Sequence, residues 1–402
     1  MRRWVMILTL AWLIGTGCAP KTSDEWAGLV RPDTLEKANL SYYWHNRLEL
    51  VRRERLTNVF LVEDRLYCLT SRNRLLALDA VNGVWEWSRP IATKQAVFRP
   101  IHVDGVTLPA AAVSEDYAGE PFDAVMLNTL SNVLVLDRSN GKIVRQVEFD
   151  FAANTGGDSD GKYFYAASTN GWCYAINLTE GVRTWGLPTG RTISAPLRLY
   201  RDILCVGGED NVFYAIQAGR YQRLIWSSEN ITSQPMLGPV TAEFYVGRRG
   251  CFVPCEDNRL YAYDRLTGRP LWEPLVCQGP LRDPVAVAQD TVFQFARQDR
   301  FYAIDRHTGK TRWDMKDARV VLAAVKGRDD QVYLLDKDGD LLIADEMTGE
   351  IILSLPMTGY DVFVQNASAP AIFAVSKTGH IVCVRPKGAG ALTAEILRQS
   401  DG

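Results

Sequence analysis

One short segment recurs along the chain, and its best-preserved copy is the stretch from residue 299 to residue 313, DRFYAIDRHTGKTRW. The first half suits a β-strand. Asp305 and Gly309 then bracket a tight reversal, since an Asp side chain accepts turn N–H groups and Gly adopts positive φ without strain. The returning half ends at Trp313. The segment therefore predicts a β-hairpin with an aromatic side chain at its far end.

The template returns at a nearly constant interval. Its Asp position, or the substitute for it, falls at residues 79, 137, 177, 217, 264, 305, 345 and 385, in steps of 58, 40, 40, 47, 41, 40 and 40. A β unit of about forty residues cannot bury its own faces, and radial stacking of four-stranded units is the usual solution. We therefore predict an all-β fold, an eight-bladed β-propeller of four-stranded antiparallel blades over residues 57–397. The structural positions of the repeat are Asp79, Gly83, Trp87, Gly181, Trp185, Trp226, Asp264, Gly268, Trp272, Asp305, Gly309 and Trp313.

Two parts of the array are irregular. The step of 58 residues contains an insertion, residues 104–123, whose Pro, Ala, Gly and acidic content predicts a surface loop. Long loops on rigid scaffolds often carry function, so this insertion is the candidate recognition element. Closure of the propeller has two candidate strands, residues 391–397 and the piece near 45–52, and the sequence does not choose between them.

The N-terminal residues have the composition of an export signal. Arg2 and Arg3 precede an apolar run over residues 4–14, which is too short to span a bilayer, and small residues follow. We therefore predict a signal peptide over residues 1–17.

Cys18 follows the signal directly and resembles the lipidated cysteine of a bacterial lipobox, although Gly15 stands where such motifs carry Leu, Val or Ile. Lipidation of Cys18 would anchor the chain in a membrane. Export without lipid and an uncleaved anchor are the alternatives. Residues 18–56 are expected to form a tether and a short N-terminal segment. Its aromatic run at 42–44 is interpreted as packing on the propeller or closing it, or as a partner or membrane patch.

The balance of charges excludes nucleic acid as a partner. The net charge is −2, with 45 Lys and Arg against 47 Asp and Glu, and no basic stripe is present. Hydrophobic residues make up 47% of the chain, enough for a large core. Most of the seven cysteines other than Cys18 are expected to be buried apolar residues. Several fall on predicted strands of different repeats, which radial stacking is expected to keep far apart, and the pattern requires no disulfide.

No catalytic residue, cofactor site or metal site is predicted. The four histidines are scattered singly, and no nucleophile elbow, His-x-x-x-His pair or phosphate-binding Gly loop occurs. Residues 154–164 and 336–342 place Asp beside Gly as some Ca²⁺ loops do, but neither carries the final Glu of an EF-hand. A polar hairpin turn is already expected at both places.

The Ala-x-Asp-x-x-Thr-Gly-x-x-x-Trp template resembles the repeats of the quinoprotein alcohol dehydrogenase-like, or PQQ-like, propellers over about residues 57 to 397. The resemblance implies that each Trp docks between neighbouring blades against the Ala and Gly of the motif. Blades two and seven carry Arg145 and Leu353 at this position, and the eighth repeat has no Trp there. Those junctions are expected to pack differently.

The resemblance is closest to the non-enzymatic, exported branch, typified by the BamB lipoproteins of outer-membrane barrel assembly. The adjacent cysteine pair common in quinone-dependent dehydrogenases is absent from the sequence. The expected function is therefore a lipid-anchored scaffold on the periplasmic side of the outer membrane, monomeric and bound to envelope proteins. The alternatives are a propeller that binds a small molecule or polysaccharide and, less favoured, a quinone-dependent dehydrogenase.

Overall fold

The computed structural model describes residues 26, 28–92, 94–231, 235–325, 330–367 and 369–398. The predicted signal peptide and Cys18 lie outside the described residues. Within them, eight four-stranded antiparallel sheets confirm the predicted eight-bladed propeller. The helical elements are α1 (Pro32–Lys37), a 3-10 helix (Glu115–Tyr117), α2 (Ser228–Ile231) and α3 (Ala394–Arg398). No helix of the described part is both long and apolar enough to span a membrane.

The first strand, β1 (Leu40–Arg47), belongs to the last blade and is described with it. Blade one contains β2 (Leu56–Val62), β3 (Arg65–Thr70), β4 (Arg74–Asp79) and β5 (Trp85–Pro90). Blade two contains β6 (Ile101–Val106), β7 (Phe122–Asn128), β8 (Asn132–Asp137) and β9 (Ile143–Glu148). Blade three contains β10 (Asp158–Ser159), β11 (Tyr163–Ala167), β12 (Trp172–Asn177) and β13 (Val182–Pro188). Blade four contains β14 (Arg198–Tyr200), β15 (Ile203–Gly207), β16 (Phe213–Gln217) and β17 (Arg223–Ser227).

In the second half of the propeller the strands of each blade are again given in their order across the sheet, from the innermost to the outermost strand. Blade five contains β18 (Tyr245–Gly247), β19 (Gly250–Pro254), β20 (Arg259–Tyr263) and β21 (Leu275–Val276). Blade six contains β22 (Ala286–Val287), β23 (Thr291–Phe295), β24 (Phe301–Asp305) and β25 (Thr311–Met315). Blade seven contains β26 (Ala318–Val325), β27 (Gln331–Asp336), β28 (Asp340–Asp345) and β29 (Ile351–Pro356). Blade eight contains β30 (Val362–Phe363), β31 (Ile372–Val375) and β32 (His380–Pro386), with β1 as its outermost strand.

The N-terminal strand closes the propeller. β1 pairs antiparallel with β32 from Leu40 opposite Pro386 to Arg47 opposite His380. The alternative closing strand at residues 391–397 is wrong, because residues from Ala394 onward form α3. Composition explains the outcome, since β1 is rich in Tyr and Trp whereas α3 is built from the helix formers Ala, Glu, Leu and Arg. The boundary at residue 57 therefore leaves one strand of the propeller out.

The core lies between adjacent blades rather than in one central layer. Trp87 of blade one, for example, shares a buried cluster with Val125 and Leu136 of blade two. Cys205 of β15 and Cys251 of β19 meet in the same way, with their Sγ atoms 4.0 Å apart. The expectation that stacking keeps the cysteines of different blades apart is wrong for this pair, because both occupy second strands of neighbouring blades.

Closure depends on Trp44, and this dependence can be tested. The Trp44 indole is 9% exposed, and its Nε1 donates to the Ala80 carbonyl oxygen of blade one at 3.1 Å. We expect Trp44→Ala to lower the free energy of unfolding by about 3–5 kcal/mol, measured by urea denaturation. Trp85, which is 49% exposed, provides the control. Trp85→Ala should cost no more than about 1 kcal/mol, and equal losses from both variants would contradict closure by β1.

Candidate functional site

A tryptophan on the outer strand of one blade, or just before that strand in blade five, docks on the turn of the next blade. In six junctions the indole N–H donates to a backbone carbonyl oxygen one or two residues after the Asp position, over 2.8 to 3.3 Å. The predicted members are Trp87, Trp185, Trp226, Trp272 and Trp313. The sixth, Trp44, was missed because it belongs to the eighth blade in space but to the N-terminus in sequence. The sequence signal that could have identified Trp44 was its place in a run of aromatic residues, which favour β-strands.

The turn glycines admit these indoles by lacking a side chain. Gly309 and Gly349 have φ of +70° and +72°, and a Cβ atom there would lie 2.5 and 2.6 Å from ring atoms of Trp272 and Trp313. The turns themselves are fixed by their Asp residues. Asp305 Oδ1 accepts the backbone N–H groups of residues 307 and 308. The side-chain hydrogen bond from Arg312 holds the pKa of Asp305 well below its ordinary value.

In blades one to four, six and seven, the outer strand has a β-bulge directly before the docking position. In blade six, Trp313 pairs with Ala303 and Thr311 with Ile304, so that Arg312 is the extra residue. A bulge bends the strand and re-aims the next side chain. The bulge therefore helps to turn the docking side chain toward the neighbouring blade.

Arg145 replaces tryptophan at the junction of blades two and three. Its Nε donates to the Leu178 carbonyl oxygen at 3.1 Å, which is the acceptor position that the indoles use elsewhere. Its Nη1 also donates to the carbonyl oxygen of Ala112, in the insertion over residues 104–123. Part of that insertion thus packs on the propeller, with Leu108 and Ala112 buried.

The junction of blades seven and eight is filled by the N-terminal segment. Leu353 occupies the docking position opposite Ile343 and is 36% exposed. Leu35 of α1 and Leu40 of β1 instead share a buried cluster with Leu355 of β29. Two of the three junctions without a tryptophan in the repeat are therefore packed by other means, and the third uses Trp44.

The central channel contains a charged group that links several blades. A cavity of about 390 Å³ is lined by residues on or next to the inner strands of blades one to six and eight, and by Leu397 of α3. Arg99 Nη1 lies 2.5 Å from Glu243 Oε1, and Arg198 contacts the same carboxylate. Asp158 accepts the Leu199 N–H at 2.7 Å. These contacts join blades two to five across the channel wall.

The C-terminal helix covers one side of this cavity. Leu397 is 1% exposed, and Arg398 Nη2 donates to Asp64 Oδ2 at 2.9 Å. Arg398 Nε also lies 3.6 Å from Glu63 Oε2. Helix α3 is therefore fixed to blade one by both apolar and ionic contacts.

One group of possible metal ligands occurs among the described residues, namely Glu63, His102 and Asp104. His102 Nδ1 lies 2.5 Å from Glu63 Oε2, and its Nε2 lies 3.3 Å from Asp104 Oδ1. The imidazole thus sits between two carboxylates, with Arg398 beside Glu63. The Glu63 carboxylate therefore already has partners from the protein itself, the imidazole of His102 and the guanidinium of Arg398.

The two Asp-rich loops form turns. Asp160 Oδ1 accepts the backbone N–H groups of Lys162 and Tyr163. Asp336 Oδ1 accepts those of Asp338 and Asp340. These carboxylate oxygens are engaged with their own loops, as the polar-turn interpretation expects.

The geometry defines the class of protein as a tryptophan-docked, eight-bladed β-propeller of PQQ-like repeats. A family model described as outer membrane protein assembly factor BamB matches residues 129–352 and 256–399, more than half of the chain. The chain therefore belongs to this family, as its repeat template indicated.

Solved structures agree with the fold. BamB from Moraxella catarrhalis superposes with a TM-score of 0.62 at 16% identity, over 87% of this chain and 99% of that one. The computationally designed Ika8 protein gives a TM-score of 0.59 at 12% identity, over 84% and 98%. At such identities the similarity shows the fold alone. A search of curated proteins gave no match.

The requirement for glycine under the indole gives a matched pair of variants. Gly349 and Gly339 both have positive φ, at +72° and +92°, but a Cβ atom on Gly339 would meet nothing within 4 Å. Gly339→Ala should therefore cost about 1 kcal/mol, from backbone strain alone. Gly349→Ala should cost about 2–4 kcal/mol because it also displaces Trp313. Equal losses in thermal or urea unfolding would contradict the docking role.

Asp158 should make stability depend on pH. Burial in the channel raises the pKa of Asp158 to about 6, against the opposing charge of Arg198. A carboxyl with a raised native pKa contributes most below its unfolded value, near 4, and that contribution is lost as the pH rises through 6. We therefore expect the wild type to lose stability relative to Asp158→Asn between pH 4 and 7. Urea unfolding of both proteins at each pH measures the difference, and a constant difference would contradict the assignment.

Proposed function

We propose that this protein is an exported, lipid-anchored propeller that binds envelope proteins during assembly of outer-membrane proteins. The observation that carries the proposal is the match of residues 129–399 to the family described as outer membrane protein assembly factor BamB. The described fold supports it, because a propeller closed by its own N-terminal strand is a rigid platform for loops. The proposed lipid on Cys18 would hold that platform at the periplasmic side of the membrane.

The proposed partner surface includes the insertion over residues 104–123. Its side toward the propeller is held by Tyr117, whose hydroxyl donates to Asp137 Oδ2 at 2.7 Å. Its outer side exposes Glu115 and Glu120, and the insertion contains no Lys or Arg. A fixed acidic loop favours a partner with a basic surface, because complementary charge raises association rates and orients the complex.

The channel favours a second candidate, a propeller that binds a small polar molecule or a polysaccharide end. Arg99 and Arg198 converge on Glu243 beside the cavity, and such a group could hold a carboxylate or hydroxyl-rich ligand. The contact to Glu243 already satisfies these arginines, so a ligand must compete with it. We therefore place the channel second, and we propose that the protein acts by binding rather than by catalysis.

Crosslinking in the intact envelope tests the proposal. Mass spectrometry should find proteins of outer-membrane barrel assembly with this chain, and a mature N-terminus beginning at acylated Cys18. Glu115→Lys combined with Glu120→Lys should lower recovery of the partner by roughly tenfold, because the reversed charges repel a basic surface. Glu180→Lys, an exposed acid on a turn of blade three, is the control.

Two outcomes would contradict the scaffold. An unmodified N-terminus with no partner and a retained small molecule would favour the channel function instead. A partner recovered equally well with the insertion variant and with the control would remove the insertion from the binding surface.

A further inference from the structure

The outer edge of blade seven is unlike the other outer edges. Ile351, Ile352 and Leu353 of β29 are 46%, 56% and 36% exposed, and Met347 of the preceding turn is 54% exposed. We name these four residues the blade-seven patch. Apolar side chains exposed next to one another mark a docking surface more often than scattered ones do.

Six of the other seven outer strands carry a charged side chain, but the outer strand of blade seven does not. The strand β29 has the sequence IILSLP and carries no charged residue. Among the described residues, every other outer strand longer than two residues carries at least one charged side chain, as edge strands usually do to avoid unwanted association. Those side chains include Glu86 of β5, Arg145 of β9, Arg183 of β13, Arg223 of β17, Arg312 of β25 and Arg47 of β1.

The patch lies on the blade against which the N-terminal segment packs. Leu35 of α1 shares a buried cluster with Leu341 and Leu355 of blade seven. Leu353 is two residues before Leu355 on β29, on the same side of the strand. The segment that leads toward the proposed anchor therefore enters the cleft beside the patch.

The distance to the proposed anchor is short. Trp26 stacks on Tyr42 of β1, with ring centroids 4.4 Å apart, and thus belongs to the rim of blade eight. Trp26 is eight residues beyond Cys18. A fully extended chain of that length spans at most about 28 Å. A lipid on Cys18 would therefore keep the rim of blades seven and eight close to the membrane surface.

The side chains on this rim fit a lipid interface. Tyr43 is 44% exposed, and its ring rests on the guanidinium of Arg385, which is itself buried, with 4.8 Å from the guanidinium to the ring centroid. An exposed amphipathic aromatic ring beside exposed aliphatic side chains is typical of segments at the headgroup level. A stable protein interface buries roughly 800 Å² on each partner, far more than one strand edge offers. A lipid surface needs no such complementary shape.

We infer that the blade-seven patch rests on the membrane surface, so that the propeller stands on the rim of blades seven and eight. This inference rests on the proposed anchoring at Cys18. It adds an orientation, in which the blades opposite, around blade three, face away from the lipid.

A fluorophore at two matched positions tests the orientation. Ile352→Cys lies in the patch, and Val182→Cys, at a residue that is 51% exposed, lies on blade three across the propeller. The seven native cysteines of the described part are buried, so a nitrobenzoxadiazole label should react with the introduced thiol once Cys18 carries lipid. The lipidated protein is reconstituted into phosphatidylethanolamine and phosphatidylglycerol vesicles that contain a nitroxide-labelled lipid.

We expect the label at position 352 to shift to the blue and to be quenched at least about twofold more than the label at 182, since it enters the interfacial region. Ile352→Glu, combined with a label at Met347→Cys, should abolish that quenching, whereas Val182→Glu should leave it unchanged. Equal spectra and equal quenching at both positions would overturn the inference.

Other outcomes separate this inference from the proposed function. Lipidated Cys18 with no quenching at 352 would overturn the membrane contact alone. Unmodified Cys18, read from the mass of the N-terminal peptide, would overturn both the anchor and the contact. A blue shift that needs envelope proteins and fails with pure lipid would assign the patch to a protein partner, and would also overturn the lipid contact.

Discussion

The hydrogen bond from an indole N–H to a turn carbonyl of the next blade is the interaction on which this propeller depends. Each blade is a small sheet whose two faces must both be buried, and only its neighbours can bury them. A docked tryptophan fills the outer part of that interface and satisfies its own donor at the same time. At four junctions a positive-φ glycine beneath the indole is needed, because a Cβ atom on it would lie 2.4 to 2.6 Å from ring atoms; these are Gly83, Gly141, Gly309 and Gly349.

The junctions that depart from this rule show how the rest of the chain is used. Arg145 reaches the same class of carbonyl acceptor but also binds the insertion over 104–123, so the exception in blade two fixes a loop that a tryptophan could not hold. At blade seven the N-terminal segment enters the cleft that an indole would otherwise fill. That replacement places the start of the described chain beside the patch on β29, and it connects the proposed anchor to one defined side of the propeller.

The central channel and the outer surface of the propeller differ in chemistry, and they therefore suggest different functions. In the channel Arg99 and Arg198 both contact Glu243, and the contact of Arg99 with Glu243 joins blades two and five, which are not adjacent. The chemistry of the channel is that of a structural link with room for a small ligand. The surface has an acidic insertion on blade two and an apolar rim at blades seven and eight, and these two surfaces correspond to the proposed partner contact and the proposed membrane contact.

The sequence alone determined the number of blades, their strand content, the turn residues and five of the six docking tryptophans, because these depend on short-range patterns repeated at a fixed interval. It did not determine which strand closes the propeller, the role of Trp44, the meeting of Cys205 with Cys251, or the arginines that converge on Glu243. Each of these joins residues that are far apart in the chain. Only the closed tertiary structure brings them together, since the circular arrangement makes the first strand a neighbour of the last.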